Sequence, residues 1–325
     1  MTEPTPPPDE PAPAPQTVTW KRALLFVVEL LVIAGIGWAL VRRRADLAAA
    51  LDLSVLDIVL VFLLCAAAAP LRAVELSTVV RTLGVKVSFL ESLSLTQAAT
   101  LLNYLPMQAG TLLRARVLKQ QRAVSYARYV SIMSCLVLFG MTAGSVEGLA
   151  MLSRAHGLSS DARTAAALVF GAVVLATAVF VVAPLERLPF GSGWIGRRAH
   201  DLVSGWKLIT TDRRALATLF VIALSNPLLL GARYLVCFSA LSLEVTAPDA
   251  LLLASAILVS IPVNITPGGV GTRELIGTAI GVAAGLEFSQ VLFAVTIDRV
   301  VSLTFSAVAG SSGLVWLKRR GLLAS

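Results

Sequence analysis

The stretch Asn264-Ile-Thr-Pro-Gly-Gly-Val-Gly-Thr-Arg-Glu274 restricts the fold more than any other. It lies between two apolar runs, Leu251 to Val263 and Leu275 to Leu286. Neither run reaches the ~20 helical residues needed to cross a bilayer. Pro267, Gly268, Gly269 and Gly271 argue against one continuous helix, because proline lacks an amide donor and glycine favours open backbone. Lipid-exposed irregular backbone is not tolerated at membrane depth, so a break here must be buried in protein or line a wet cavity. Two half-helices around a Gly-rich turn, followed at once by Arg273 and Glu274, read as a re-entrant hairpin with a polar tip. The plainer alternative is a short extracytoplasmic loop between two weak spans.

Composition supports a membrane setting. Hydrophobic residues make up 57% of the 325 and charged residues 14%, with mean hydropathy +0.82. Soluble domains carry about 25% charged residues. The 27 basic against 19 acidic residues are a topology signal, since Lys and Arg collect in cytoplasmic loops. No stretch interleaves basic and aromatic residues as a single-strand binder would, so no nucleic-acid partner is expected. Cys65, Cys135 and Cys237 are odd in number and sit in apolar runs, which suits small core residues better than disulfides. His156 and His200 stand alone, and no metal-ligand spacing exists. No cofactor is expected.

Residues 1–19 are Pro-rich and acidic at Glu3, Asp9 and Glu10, a composition that predicts a disordered cytoplasmic tail. Residues 20–325 form the transmembrane domain. Spans are expected over Ala23–Val41, Val55 to about Val80, Tyr129–Leu152, Ala165–Pro184, Ala215–Leu241 and Val291–Leu317. Asn226-Pro227 interrupts the fifth of these, and the basic loop from Glu186 to Arg214 has room for an interfacial helix around Trp194–Ile209. A second unusual segment, Ser88 to Leu105, ends in Tyr104-Leu-Pro-Met-Gln-Ala-Gly-Thr-Leu-Leu-Arg114. Its Pro106-x-x-x-Gly110 matches the spacing of Pro267-x-x-x-Gly271, and each precedes a cation, Arg114 or Arg273. Paired Pro/Gly-interrupted segments in two halves of a chain point to a transporter site. The expected fold is therefore all-α, with about six full spans and two oppositely oriented re-entrant hairpins near 88–118 and 251–286.

Orientation follows if the basic loops at 114–128 and 186–214 and the C-terminus are cytoplasmic. The linker from Ser242 to Ala250, with no Lys or Arg, then lies outside, and the two hairpins dip in from opposite leaflets. One conflict remains at the first span, where Arg42, Arg43 and Arg44 would be outside while Lys21 and Arg22 are inside.

At these residues the chain resembles the flippase-like family named after the transmembrane region of lysylphosphatidylglycerol synthases. The second family motif is intact as Pro267, Gly268, Gly269, Gly271, Arg273 and Glu274. The first is degenerate: Pro106, Gly110 and Arg114 match, but Gln108 replaces a usual cation and Thr111 a usual acid. The resemblance, over roughly Ala23 to Leu317, implies lipid translocation across the cytoplasmic membrane. The alternative is a non-transporting scaffold or accessory protein in lipid or polyprenyl-linked glycan biosynthesis. The synthase's soluble aminoacyl-transfer domain is not expected, since the chain stops soon after its last span. Implied partners are a lipid with an anionic or aminoacylated headgroup, a lipid-biosynthesis enzyme, and a second copy of the chain.

A translocator needs cations near the midplane for the headgroup phosphate. Arg273 starts the second half-helix, where a guanidinium and unpaired backbone donors would coincide. Arg114 is placed to act from the opposite leaflet, with Gly110, Gly268, Gly269 and Gly271 allowing close approach of backbone. Glu274 and Asp298 are candidates for an amine-bearing headgroup, for a coupling proton, or for ion pairs, Glu274 with Arg299 or Asp298 with Arg273. Arg72 and Glu75, three apart on a helix, most simply pair with each other. Glu29 and Arg233 are read as snorkelling or packing residues before cleft residues. Without a His, Cys or paired-carboxylate constellation, an intramembrane enzyme is not expected.

Overall fold

The computed structural model describes residues 54–105, 109–122, 124, 126–155, 157–182, 203, 206–207, 209–263, 269 and 271–323. The N-terminal tail, the expected first span with Glu29, the loop carrying Trp194, and Pro106, Gln108, Pro267 and Gly268 lie outside these residues. The described chain is helical. In order come α1 (Val55–Thr82), α2 (Phe89–Leu102), α3 (Ala109–Arg122), α4 (Tyr126–Leu152), α5 (Ser160–Val182), α6 (Arg213–Ala240), α7 (Ala247–Val259), α8 (Thr272–Ala283) and α9 (Phe288–Arg319). Five of them, α1, α4, α5, α6 and α9, are long and apolar enough to cross a membrane. The protein is a polytopic helical membrane protein.

Local chemistry explains where the helices begin. Ser54 and Asp57 form a reciprocal capping box at α1, and Thr246 and Asp249 repeat it at α7. The Ser88 hydroxyl accepts from the Glu91 amide at α2, and Asp212 accepts from the amides of Arg214 and Ala215 at α6. Pro70 and Pro227 do not end their helices. The expected interruption at Asn226-Pro227 is thus corrected to a continuous α6. Inside a packed apolar bundle no water competes for the flanking backbone, so a helix runs through a proline that would break it in solution.

The short helices come in two pairs. In the first, α2 and α3 run antiparallel: the Asn103 side chain accepts from the Thr111 amide at 3.0 Å near the turn, and Arg122 reaches Glu91 at 3.1 Å at the far end. In the second, α7 packs against α8, with Gly277 facing Ile257. The long helix α9 joins both pairs. Along its first half Val291 and Val295 pack on Gly281 and Gly277 of α8; along its second half Gly310 and Gly313 pack on α2 at Gln97, Leu101 and Ser94. Small residues let backbones approach, the usual means of helix association where lipid offers no hydrophobic gain. One apolar core gathers α6, α7 and α9, including Phe238, Ile257 and Val291. A second gathers α1, α2 and α3 with the end of α9, including Leu76, Leu95, Leu118 and Leu317. Beside α4, Trp206 stacks on Phe139 with ring centroids 5.0 Å apart. The outer faces stay apolar: Leu168 and Leu175 of α5, Val221 of α6 and Val308 of α9 are all exposed.

Candidate functional site

Where the two helix pairs meet, a polar cavity of about 350 Å³ opens inside the bundle. Its walls follow helical periodicity. Cys65, Ala68, Ala69, Arg72 and Glu75 place one face of α1 along it, and Thr96, Gln97, Thr100, Asn103 and Tyr104 bring in the C-terminal part of α2. Arg114 enters from α3, Arg233 from α6, Arg273 from α8, and Arg299 with Ser302 and Ser306 from α9. Met133 and Leu136 of α4 and Phe305 of α9 supply apolar wall. Among the described residues, five arginines therefore face one small space, with Glu75 the only carboxylate lining it.

Two of the five are held from behind. Arg233 donates to both oxygens of Asp298, Nε to Oδ1 and Nη2 to Oδ2, each at 2.7 Å. Planar guanidinium and planar carboxylate match in this fork, and Asp298 is buried. Of the roles open to Asp298, the ion pair with Arg273 is not the one formed: α6 packs along α9 and delivers Arg233 to the carboxylate instead. Arg299 lies 3.5 Å by its Nε from Glu274 Oε1. Its guanidinium also sits over the Tyr104 ring, 5.0 Å from the centroid, a cation–π contact. Arg299 thus touches the tips of both helix pairs at once.

Glu274 does structural work at the second tip. Its Oε2 accepts from the Gly271 amide at 2.6 Å, which satisfies a donor left free at the start of α8, while Oε1 faces Arg299. Gly269 (φ +69°) and Gly271 (φ +82°) occupy the left-handed region, where a side chain would be strained. Their glycines serve the turn itself. Gly110 serves packing, because a Cβ there would stand 1.8 Å from the Ala99 carbonyl oxygen of α2.

The remaining arginines are left open. Nε of Arg114 and Nε of Arg273 are buried and have no hydrogen-bond partner among the described residues, although the Arg114 guanidinium also reaches the Thr96 carbonyl at 3.4 Å and interacts with the Tyr129 side chain. These two come from the two different helix pairs. Arg72 and Glu75 both line the cavity and attract one another electrostatically, as expected, but across a longer gap than a contact pair: no ion pair within 4 Å or hydrogen bond joins them among the described residues. A three-residue spacing permits contact but does not compel it when both side chains have a polar space to enter.

Of the residues singled out in the sequence, Arg114, Arg273 and Arg299 thus meet in one cavity, Asp298 and Glu274 stand behind it as ion-pair partners, and Gly110, Gly269 and Gly271 shape the chain around it. Arg72, Arg233, Asn103 and Tyr104 are wall residues that the sequence reading did not place there. The signal for the two arginines was present, since a charge inside an apolar run is costly and marks a polar interior. The polar residues of α2 carried none, being ordinary for a half-apolar helix. Among the described residues no group of three His, Cys, Asp or Glu is placed to hold a metal.

Searches of curated proteins and of solved structures return no significant match. The family described as the lysylphosphatidylglycerol synthase TM region matches residues 26–310, which takes in every described residue lining the cavity. A match of that extent, over a helical membrane bundle whose two helix-pair tips converge on an arginine-rich cavity, places the chain in this lipid-associated, flippase-like membrane family.

Proposed function

We propose that the protein moves a phospholipid or lipid-linked headgroup across the cytoplasmic membrane, and that the cavity is the waystation for the headgroup. In this reading the pairs α2–α3 and α7–α8 are re-entrant hairpins entering from opposite leaflets. Following the chain through α1, α4, α5, α6 and α9 puts the ends of the first pair on one side and those of the second on the other. The first side carries Arg81, Lys86, Lys119, Arg122 and the run Lys318 to Arg320, and is cytoplasmic by the positive-inside rule. Tips meeting from both sides give a polar site at mid-depth that neither leaflet alone would tolerate.

One observation carries the proposal: Arg114 and Arg273, one from each hairpin, share a cavity with buried guanidinium nitrogens left unsatisfied. A buried cationic donor without a partner is costly, and a phosphate oxygen is its natural complement. Arg273 is the main phosphate ligand and Arg114 its counterpart. In proteoliposomes reporting fluorescent-lipid translocation, Arg273→Ala should reduce the rate at least tenfold while the protein remains folded. Arg273→Lys should rescue only in part, since an ammonium keeps the charge and loses the bidentate fork. Undiminished transport by folded Arg273→Ala protein would remove this site from the mechanism and favour the scaffold role.

A further inference from the structure

The charge inventory of the cavity names the kind of headgroup it takes. Asp298 and Glu274 are committed to Arg233 and Arg299. Among the described residues, three arginines, Arg72, Arg114 and Arg273, then face the space against one carboxylate, Glu75, an excess of two positive charges. A phosphodiester such as phosphatidylglycerol brings one negative charge. Lysylated phosphatidylglycerol brings one negative and two ammonium charges, so its headgroup is cationic overall and would set its amines against guanidinium groups. A phosphomonoester carries about 1.5–2 negative charges near pH 7 and three acceptor oxygens. A diphosphate carries at least as many.

At about 350 Å³ the cavity has room for a phosphate or diphosphate group, within the roughly 300–1,000 Å³ of small-molecule sites, so charge rather than size sets the preference. The polar wall adds the Thr96 hydroxyl, which is buried without a partner among the described residues, and the Asn103 side-chain amide, while Thr100, Ser302 and Ser306 donate to their own helices.

We infer that the cavity selects a lipid whose headgroup is a phosphomonoester or diphosphate, and discriminates against aminoacylated phosphatidylglycerol. The inference rests on the reading of the cavity as a lipid-headgroup site, but binding tests it without requiring transport. The full chain in detergent micelles would be titrated with farnesyl diphosphate, dioleoyl phosphatidate, dioleoyl phosphatidylglycerol, lysyl-phosphatidylglycerol and inorganic pyrophosphate. Kd would be read by thermophoresis and thermal midpoint by scanning fluorimetry. Farnesyl diphosphate and phosphatidate should bind at least about tenfold more tightly than either phosphatidylglycerol, the scale of one charge-assisted hydrogen bond. Arg273→Gln should erase most of that preference. Glu75→Gln should strengthen it by removing the opposing charge, and this gain decides the matter even if the arginine variant fails to fold.

Lysyl-phosphatidylglycerol binding as tightly as the diphosphate would overturn the inference, as would a preference unchanged in Glu75→Gln. Pyrophosphate binding as tightly as farnesyl diphosphate would overturn the lipid assignment in favour of a soluble-anion site. Selective binding without translocation would leave the inference standing and remove the proposed transport. Translocation with no preference for the dianionic headgroup would do the reverse.

Discussion

Asp298 and Glu274 show how one residue type takes its meaning from what lies within a few ångströms. Both were candidates to meet a lipid amine, yet one closes a two-point fork with Arg233 and the other ties the Gly271 amide to Arg299. Removing one partner of a buried ion pair leaves the other charge uncompensated and costs about 3–5 kcal/mol, whereas replacing both by apolar groups is often neutral. Asp298→Ala should therefore lower stability in micelles by about that amount. The double variant Arg233→Met with Asp298→Leu should recover more than half of the loss, as read by thermal unfolding. Equal loss in the single and double variants would show that the pair is not what holds α6 to α9.

At the scale of elements, the bundle depends on short helices lying close against longer ones. Gly110 touches the backbone of α2, and Gly313 the backbone at Ser94, so each position has room for hydrogen and nothing more. Gly110→Ala should force α3 away from α2 and cost on the order of 1–3 kcal/mol, the range for overpacking. Gly140, in the middle of α4, has nothing within 4 Å of an added Cβ. Gly140→Ala should be neutral or slightly stabilising, because alanine is the better helix former by roughly 1 kcal/mol. Thermal midpoints of the two variants measured side by side check the contrast. Similar effects at both positions would mean that the first helix pair is looser than its contacts indicate.

On the scale of the whole molecule, the decisive question is how the helix pairs sit in the bilayer. With opposed re-entrant hairpins, a cysteine at Gln121 should react with a membrane-impermeant maleimide only from the cytoplasmic side, and one at Glu244 only from outside. Cysteines placed along 264–274 should react far more slowly than the Glu244 position, being buried at a hairpin tip. Labelling along 264–274 as fast as at Glu244 would make that stretch a plain external loop.

Much of this architecture was legible before any coordinates, and for a simple reason. The bilayer imposes a length and a polarity on each helix, so apolar runs and their Pro/Gly interruptions can be read residue by residue. The long helices α1, α4, α5, α6 and α9, the short pairs, and the convergence of Arg114 and Arg273 as the cations after matched turns are local patterns of that kind. Pro227 does not break α6 because a packed apolar surround outweighs the propensity that proline shows in water. What the sequence did not contain was partnership. Asp298 takes Arg233 from 65 positions away, Glu274 takes Arg299, and Arg72 and Glu75 share the cavity without closing to a contact pair. Ion pairs between helices depend on rotation and depth, where one helical residue turns a side chain by about 100°. Only the folded bundle decides them, and with them which arginines remain free to hold a ligand.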